Sequence, residues 1–395
     1  MSLAHNPRIV TNGLVFAYDM GPNPGINKSW KGKPTTNLHT NTDTLSGWSF
    51  NDSSYSNRKL IAGTSSAGHW VLQDKPLVSG TTYTQSVEVK YDGIQYFQIA
   101  PSTGFSTNFA AFDLISGTVA GGNTSSATIT KLSDGYYKCT YTAPATSTVS
   151  GRMAFGPNTS STTRLAAWVG NGVNGVFLRN PQIEANSFAT PFVDGTRSNT
   201  QAILDWTGNN TITVNSLIYE DDGTFRFDGS SNVISFPENS LLNTQTPSVE
   251  VWAKTNATSQ NGFWFEKGNV NTQYSLFQEG GSIRWRANFG SGLVNMISTT
   301  TASYINTTDW FHTVATFESG QQYVYINGNQ VGSNTLTGTL ATNPNGCSIG
   351  AYGGFNGSRG YYYNGDIGSV KVYNKVLSAA EIKQNFNALR GRYGI

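Results

Sequence analysis

Proteins hold sugar rings by stacking a C–H face on an aromatic side chain while amides and carboxylates take the hydroxyls, so aromatics in loops mark candidate sites. Tyr352, Phe355, Arg359 and the run Tyr361, Tyr362 and Tyr363 lie together in a Gly-rich stretch of this kind. Successive strand side chains point to opposite faces, so three consecutive tyrosines cannot all enter one core. At least one is expected at the surface. Two roles remain open for the group: contact with a ligand, or packing against a neighbouring subunit or over the edge of a sheet. Trp264 and Trp285 are expected in the core instead.

Catalysis is harder to find. Glycoside hydrolysis needs two facing carboxylates, about 5 to 5.5 Å apart in retaining enzymes, and no Glu-x-Asp-x-x-Glu strand occurs. Glu250 falls on an expected strand with no second acid on its face. Glu220, Asp221 and Asp222 precede Gly223 as an expected solvated turn. His5, His39, His69 and His312 are scattered, with His312 inside a strand run where packing is expected, and their spacing yields neither a Ser-His-Asp triad nor a metal triad. Cys139 and Cys347 are the only cysteines and stand in no Cys/His motif, so both read as small buried apolar residues. No catalytic residue is assigned, and the chain is expected not to be an enzyme.

The elements that would position these residues are strands. Alternation marks 224–228, 233–236, 282–286 and 311–317 in the C-terminal half, and 95–99, 109–114, 136–141 and 176–178 in the middle, each bounded by turn formers. Asn327 and Gly328, between the strands 323–326 and 330–331, both tolerate positive φ and predict a type I′ hairpin. Residues 84–90 (TQSVEVK) echo 246–252 (TPSVEVW), which suggests a similar strand in each half rather than a tandem repeat. Ser378 and Glu381 have capping-box spacing, and Ala379, Ile382, Phe386 and Leu389 follow at helical intervals, predicting one short helix. The fold class is all-β.

Bulk composition agrees. Charged residues make up 12% of 395 and aromatics 12%, with 43 glycines; the charged share is about half the usual one, so Ser, Thr and Asn must solvate the surface. A net charge of +2 without a basic stripe argues against a nucleic-acid partner. No run approaches the roughly 18 apolar residues of a membrane span, and residues 1–10 lack the apolar core of a signal peptide, so membrane insertion is not expected.

Residues 309–328, with Asp309-Trp310-Phe311-His312 leading to Tyr325-Ile326-Asn327-Gly328, resemble the central signature of laminin-G-like, concanavalin-A-like jelly rolls. Residues 225–229 and 233–236 upstream, and 363–373 running into 377–382 downstream, extend the resemblance over nearly all of 200–390. The opening, 5–19, is similar to the leading strand of laminin-G-like proteins of tailed bacteriophages, where it normally runs directly into a segment of the type 205–208. Here about 170 residues intervene by the sequence numbering. They include 36–38, 45–48, 112–119, 132–139 and 181–191, and look like the carbohydrate-binding-module type of jelly roll found in phage tail and fibre proteins.

The resemblance implies two jelly-roll sandwiches: an N-terminal strand in 1–35, an inserted carbohydrate-binding-module-like jelly roll in 36–198, and the main laminin-G-like domain in 199–395. Surface loops accept long insertions at small entropic cost. Relatives in this superfamily often bind calcium, for which Asp228 and Asp366 are the candidates, although a turn role is the expected one for both. The function implied is that of a virion structural protein, such as a tail-fibre, baseplate or capsid-decoration subunit made in the host cytoplasm. It would adhere to host-surface glycans, touch other virion proteins and form a homo-oligomer, with a trimer as the working guess. The alternatives are a polysaccharide-degrading enzyme of the same fold and a bacterial surface lectin-like module.

Overall fold

The computed structural model describes residues 8–21, 29, 31–106, 108–219, 225–268, 273–289, 294–300, 305–355 and 357–395. His5, Thr224 and the acidic stretch 220–222 therefore lie outside the described residues. The chain divides into two units, one made of 1–33 with 198–395 and the other of 34–197.

The first unit is a sandwich of two antiparallel sheets. In one, the strands run in the order Ile218–Tyr219, Phe225–Asp228, Asn364–Tyr373, Ser248–Thr255, Phe311–Glu318, Gln321–Ile326 and Asn329–Asn334, with Leu14–Asp19 also paired to Asn364–Tyr373. That N-terminal pairing sets Tyr18 opposite Val370 and Asp19 opposite Ser369. The second sheet runs Thr213–Asn215, Val233–Phe236, Cys347–Ile349, Gln260–Lys267, Tyr274–Gly280, Ser282–Asn288 and Val294–Thr300. Period-two alternation explains which side chains fill the space between them: Val249 and Val251, Tyr274 and Leu276, Ile283 and Trp285 all enter one core with Trp264 and Cys347.

Two local readings are met in detail. Asn327 and Gly328 take φ of 48° and 76°, the left-handed pair of a type I′ turn, and join Gln321–Ile326 to Asn329–Asn334. The α-helix Ala379–Leu389 starts at a complete capping box, with the Ser378 hydroxyl accepting from the Glu381 amide and the Glu381 carboxylate accepting from the Ser378 amide. Its buried face, however, is Ile382, Asn385 and Phe386, while Ala379 is exposed. Asn385 earns its burial by hydrogen bonding: it donates to Glu250 at 2.6 Å and accepts from the Val10 amide at 2.7 Å.

The second unit is also a sandwich. One six-stranded sheet runs Thr118–Gly122, Ala110–Asp113, Tyr96–Pro101, Met153–Asn158, Trp70–Leu72 and Ser49–Asn51; the other runs Ala127–Lys131, Tyr137–Pro144, Thr82–Asp92, Gly175–Glu184, Lys59–Ala62 and Ser53–Ser56. Val87, Val89, Phe97, Ile99, Phe112, Cys139, Phe155 and Leu178 lie in its core. The echoed segments each lie mostly in a strand, Thr82–Asp92 here and Ser248–Thr255 in the first unit. Among the described residues no helix is long and apolar enough to cross a membrane.

Candidate functional site

Neighbouring strands of the second sheet in the first unit bring two outward aromatics together. Phe263 and Phe277 are register partners, and their rings stack at 4.4 Å with planes 2° apart. On the next strand the parity that sends Ile283 and Trp285 inward sends Arg284 and Arg286 outward. The Arg286 guanidinium covers this pair, 4.9 Å from the Phe277 ring and 5.7 Å from that of Phe263, a cation–π arrangement.

The tyrosine loop closes the other side. Tyr352 and Gly360 are bridged through their backbones, and the Phe263 amide donates to the Tyr361 carbonyl at 3.2 Å, which fastens the loop to the strand. Below it, the fully buried Glu266 carboxylate accepts from the Gly353 amide at 2.6 Å. Gly353 and Gly354 have positive φ, and a Cβ at Gly354 would stand 2.1 Å from the Gly268 carbonyl oxygen, so a side chain cannot be placed there. Tyr352 then meets Phe263 edge-on at 5.4 Å and Tyr361 at 6.1 Å. Tyr361 itself is 59% exposed and has φ of 46°. Such a backbone is uncommon for a bulky residue and costs on the order of 1–3 kcal/mol, a cost that clusters at ligand-holding positions.

The result is a cleft of about 320 Å³ lined by Asn261, Phe263, Phe277, Glu279, Arg286, Tyr352 and Tyr361. Its polar rim is small. Glu279 is engaged by Arg284, whose Nε lies 2.9 Å from the carboxylate, and Asn261 accepts from the Gly280 amide at 3.1 Å. Burial first, then the nearby Glu266 carboxylate, push the Tyr352 hydroxyl above its ordinary range, so it remains protonated at neutral pH.

The six loop residues read from sequence separate under this geometry. Tyr352 and Tyr361 line the cleft. Arg359 turns into its own loop, donating to the carbonyls of Gly354 and, at 2.9 Å, Phe355. Phe355 is half-buried against Gly346, and Tyr362 is half-buried. Tyr363 belongs to the core: it is 0% exposed and packs edge-on to Trp264 at 6.0 Å. The left-handed backbone at Tyr361, φ 46°, interrupts the strand alternation that would otherwise give Tyr361 and Tyr363 the same face. Asn261, Phe263, Phe277, Glu279 and Arg286 were not singled out. The signal was available as parity, since Phe277 follows inward Tyr274 and Leu276 with opposite parity and Arg286 follows inward Trp285.

Asp228 serves a turn. It accepts from the amides of Ser230, Ser231 and Asn232 and from the Ser231 hydroxyl; partial burial pushes its carboxyl up, but these bonds outweigh that and hold it well below the usual range. Asp366 lies 3.9 Å from the Arg226 guanidinium. Among the described residues no group of three acidic, histidine or cysteine side chains is set to hold a metal ion.

Two other clusters pair charges within the chain. Glu250 is buried and accepts from Lys371 at 2.9 Å and Asn385 at 2.6 Å, with His312 Nε2 at 3.5 Å. Burial pushes its carboxyl up, yet Lys371 and His312 prevail and bring it to about 2. In the second unit Arg179 stacks 4.0 Å over Tyr136 and bonds both Glu88 and Asp134.

Comparison with known proteins bears on the first unit. Residues 228–383 match the family model described as the concanavalin A-like lectin/glucanases superfamily, of laminin-G type. This segment is a concanavalin-A-like domain. The aromatic cleft lies within that concanavalin-A-like segment. Among curated proteins no relative matches the sequence. Similar solved structures include the botulinum neurotoxin serotype D binding domain, 18% identical over 48% of this chain and 50% of that one, with a TM-score of 0.39. The binding domain of botulinum neurotoxin DC in complex with rat synaptotagmin II is 14% identical over 49% and 50%, TM-score 0.40. Botulinum neurotoxin type C, whose cell entry is described as dependent upon interaction with two ganglioside molecules, is 16% identical over 49% and 50%, TM-score 0.39. The chain spans about half the length of each of these structures.

Proposed function

We propose that the chain is a non-enzymatic adhesion protein that binds surface glycans through the aromatic cleft of its concanavalin-A-like domain. The observation that carries this reading is the exposed Tyr361, held in a left-handed backbone beside Tyr352 and over the Phe263–Phe277 stack. A ring face can stack on such a platform while Asn261 and Glu279 take hydroxyls. Among the described residues of the cleft wall the carboxylate is Glu279, engaged with Arg284, which suits binding better than a two-carboxylate hydrolysis.

The finer assignment is to an exposed structural component of a phage virion, a tail-fibre, baseplate or decoration subunit. It is supported by the phage-like opening of the sequence and by the low charge of the chain. In that setting several copies, a trimer in the simplest case, would raise weak single-site binding by avidity.

The test is retention of the purified protein on host-cell envelopes and on immobilised envelope polysaccharide, with Tyr361→Ala as the variant. Because Tyr361 is exposed, its loss is expected to leave folding intact and to weaken retention about tenfold, the scale of one lost aromatic contact. Equal retention of variant and parent would remove the cleft from the function. Release of reducing sugar from the same polysaccharide would move the reading to a hydrolase.

A further inference from the structure

Arg286 stands apart from Arg284, the other arginine on the strands of its sheet. Arg284 has the Glu279 carboxylate at 2.9 Å, whereas among the described residues Arg286 has no carboxylate within ion-pair distance. Stacking on Phe277 and Phe263 holds the guanidinium plane in place at the cleft wall. The remaining charges nearby are already engaged: Glu279 by Arg284, and Glu266 beneath the loop by the Gly353 amide.

We infer that the ligand of this cleft carries a carboxylate, so that the glycan it takes is an acidic one, built on uronic or sialic-type sugars. The inference rests on the reading of the cleft as a sugar site. A guanidinium is planar, always charged and matched to a carboxylate by two parallel N–H donors, and it is more weakly hydrated than an ammonium. Fixed over aromatic rings it loses little freedom on binding. A carboxylate would supply the counter-charge that the chain leaves out, while the sugar ring rests on Tyr352 and Tyr361. The pairing of Glu279 with Arg284 leaves the Arg286 charge at the cleft wall without a carboxylate of its own, the sign an acidic sugar requires.

The experiment is a solution titration of the full chain with a panel of oligosaccharides, each acidic member matched by its methyl ester, so that only the charge differs. The acidic forms are expected to bind about ten- to hundredfold more tightly than their esters, the range of a charge-assisted pair, with affinity falling as salt rises. Arg286→Gln should abolish that preference, and Arg286→Lys should restore part of it, because it returns charge without the fork. The ester comparison uses the unaltered protein, so it stands even if a variant fails to fold. Equal affinity for acid and ester, with Tyr361→Ala still weakening both, would overturn the inference and leave the sugar-binding reading in place. Absence of binding to every member would overturn both.

Discussion

His39 shows how one side chain sets a pH dependence. It is fully buried beside Trp48, with ring centroids 4.4 Å apart, and both of its nitrogens lack hydrogen-bond partners. Burial first, then the charge of Lys75, lower its pKa from 6.5 to about 3. The unfolded chain therefore binds a proton that the folded chain refuses, and stability is complete above pH 6.5 and declines as pH falls toward 3. The linkage is on the order of 5 kcal/mol for a shift of this size. Glu250 adds a loss of the same sign at lower pH, between its ordinary value of 4.5 and about 2. Replacing His39 by Leu is expected to flatten the decline between pH 6 and 4, read as the urea midpoint of residues 34–197 against pH. An unchanged acid limb would place the titration elsewhere.

At the scale of elements, the segment 181–191 acts as a clasp for the second unit. Glu184 is buried at the end of the strand Gly175–Glu184 and accepts from Thr35, Asn186, Gln182 and Thr190, the last through both hydroxyl and amide. Thr35 belongs to a strand that pairs with Thr196–Arg197, so the two ends of the unit are joined at one carboxylate. Glu184→Ala would strand these donors and is expected to destabilise residues 34–197 by about 3–5 kcal/mol; Glu184→Gln, which keeps the shape, should cost less. Amide hydrogen exchange across that unit measures both, and full protection in Glu184→Ala would deny the clasp. Nothing local in the sequence announces this contact, since Thr35 and Glu184 are 149 positions apart. The same holds for the stack of Phe263 on Phe277, which depends on which strands become neighbours. By contrast the Asn327-Gly328 turn and the Ser378 cap were legible because each is decided within four residues by backbone sterics and one hydrogen bond.

For the whole molecule, the question is whether the first unit depends on the stretch placed inside it. Where the chain leaves and re-enters that unit, the Lys31 amide donates to Ala202 at 3.0 Å and the Leu204 amide to Ser29 at 2.9 Å. The exit and return segments are thus already tied together, and the strand Leu14–Asp19 is fixed by its pairing with Asn364–Tyr373. Closing so short a gap costs little loop entropy. Replacing residues 34–197 by a short Gly/Ser linker is therefore expected to give a folded sandwich whose urea transition stays cooperative. If the adhesive surface is the cleft around Tyr361 and Arg286, this shortened protein should keep the affinity and the acid-over-ester preference of the full chain. Loss of binding with the fold intact would assign adhesion to residues 34–197 instead, and an unfolded product would mean that the N-terminal strand cannot dock without them.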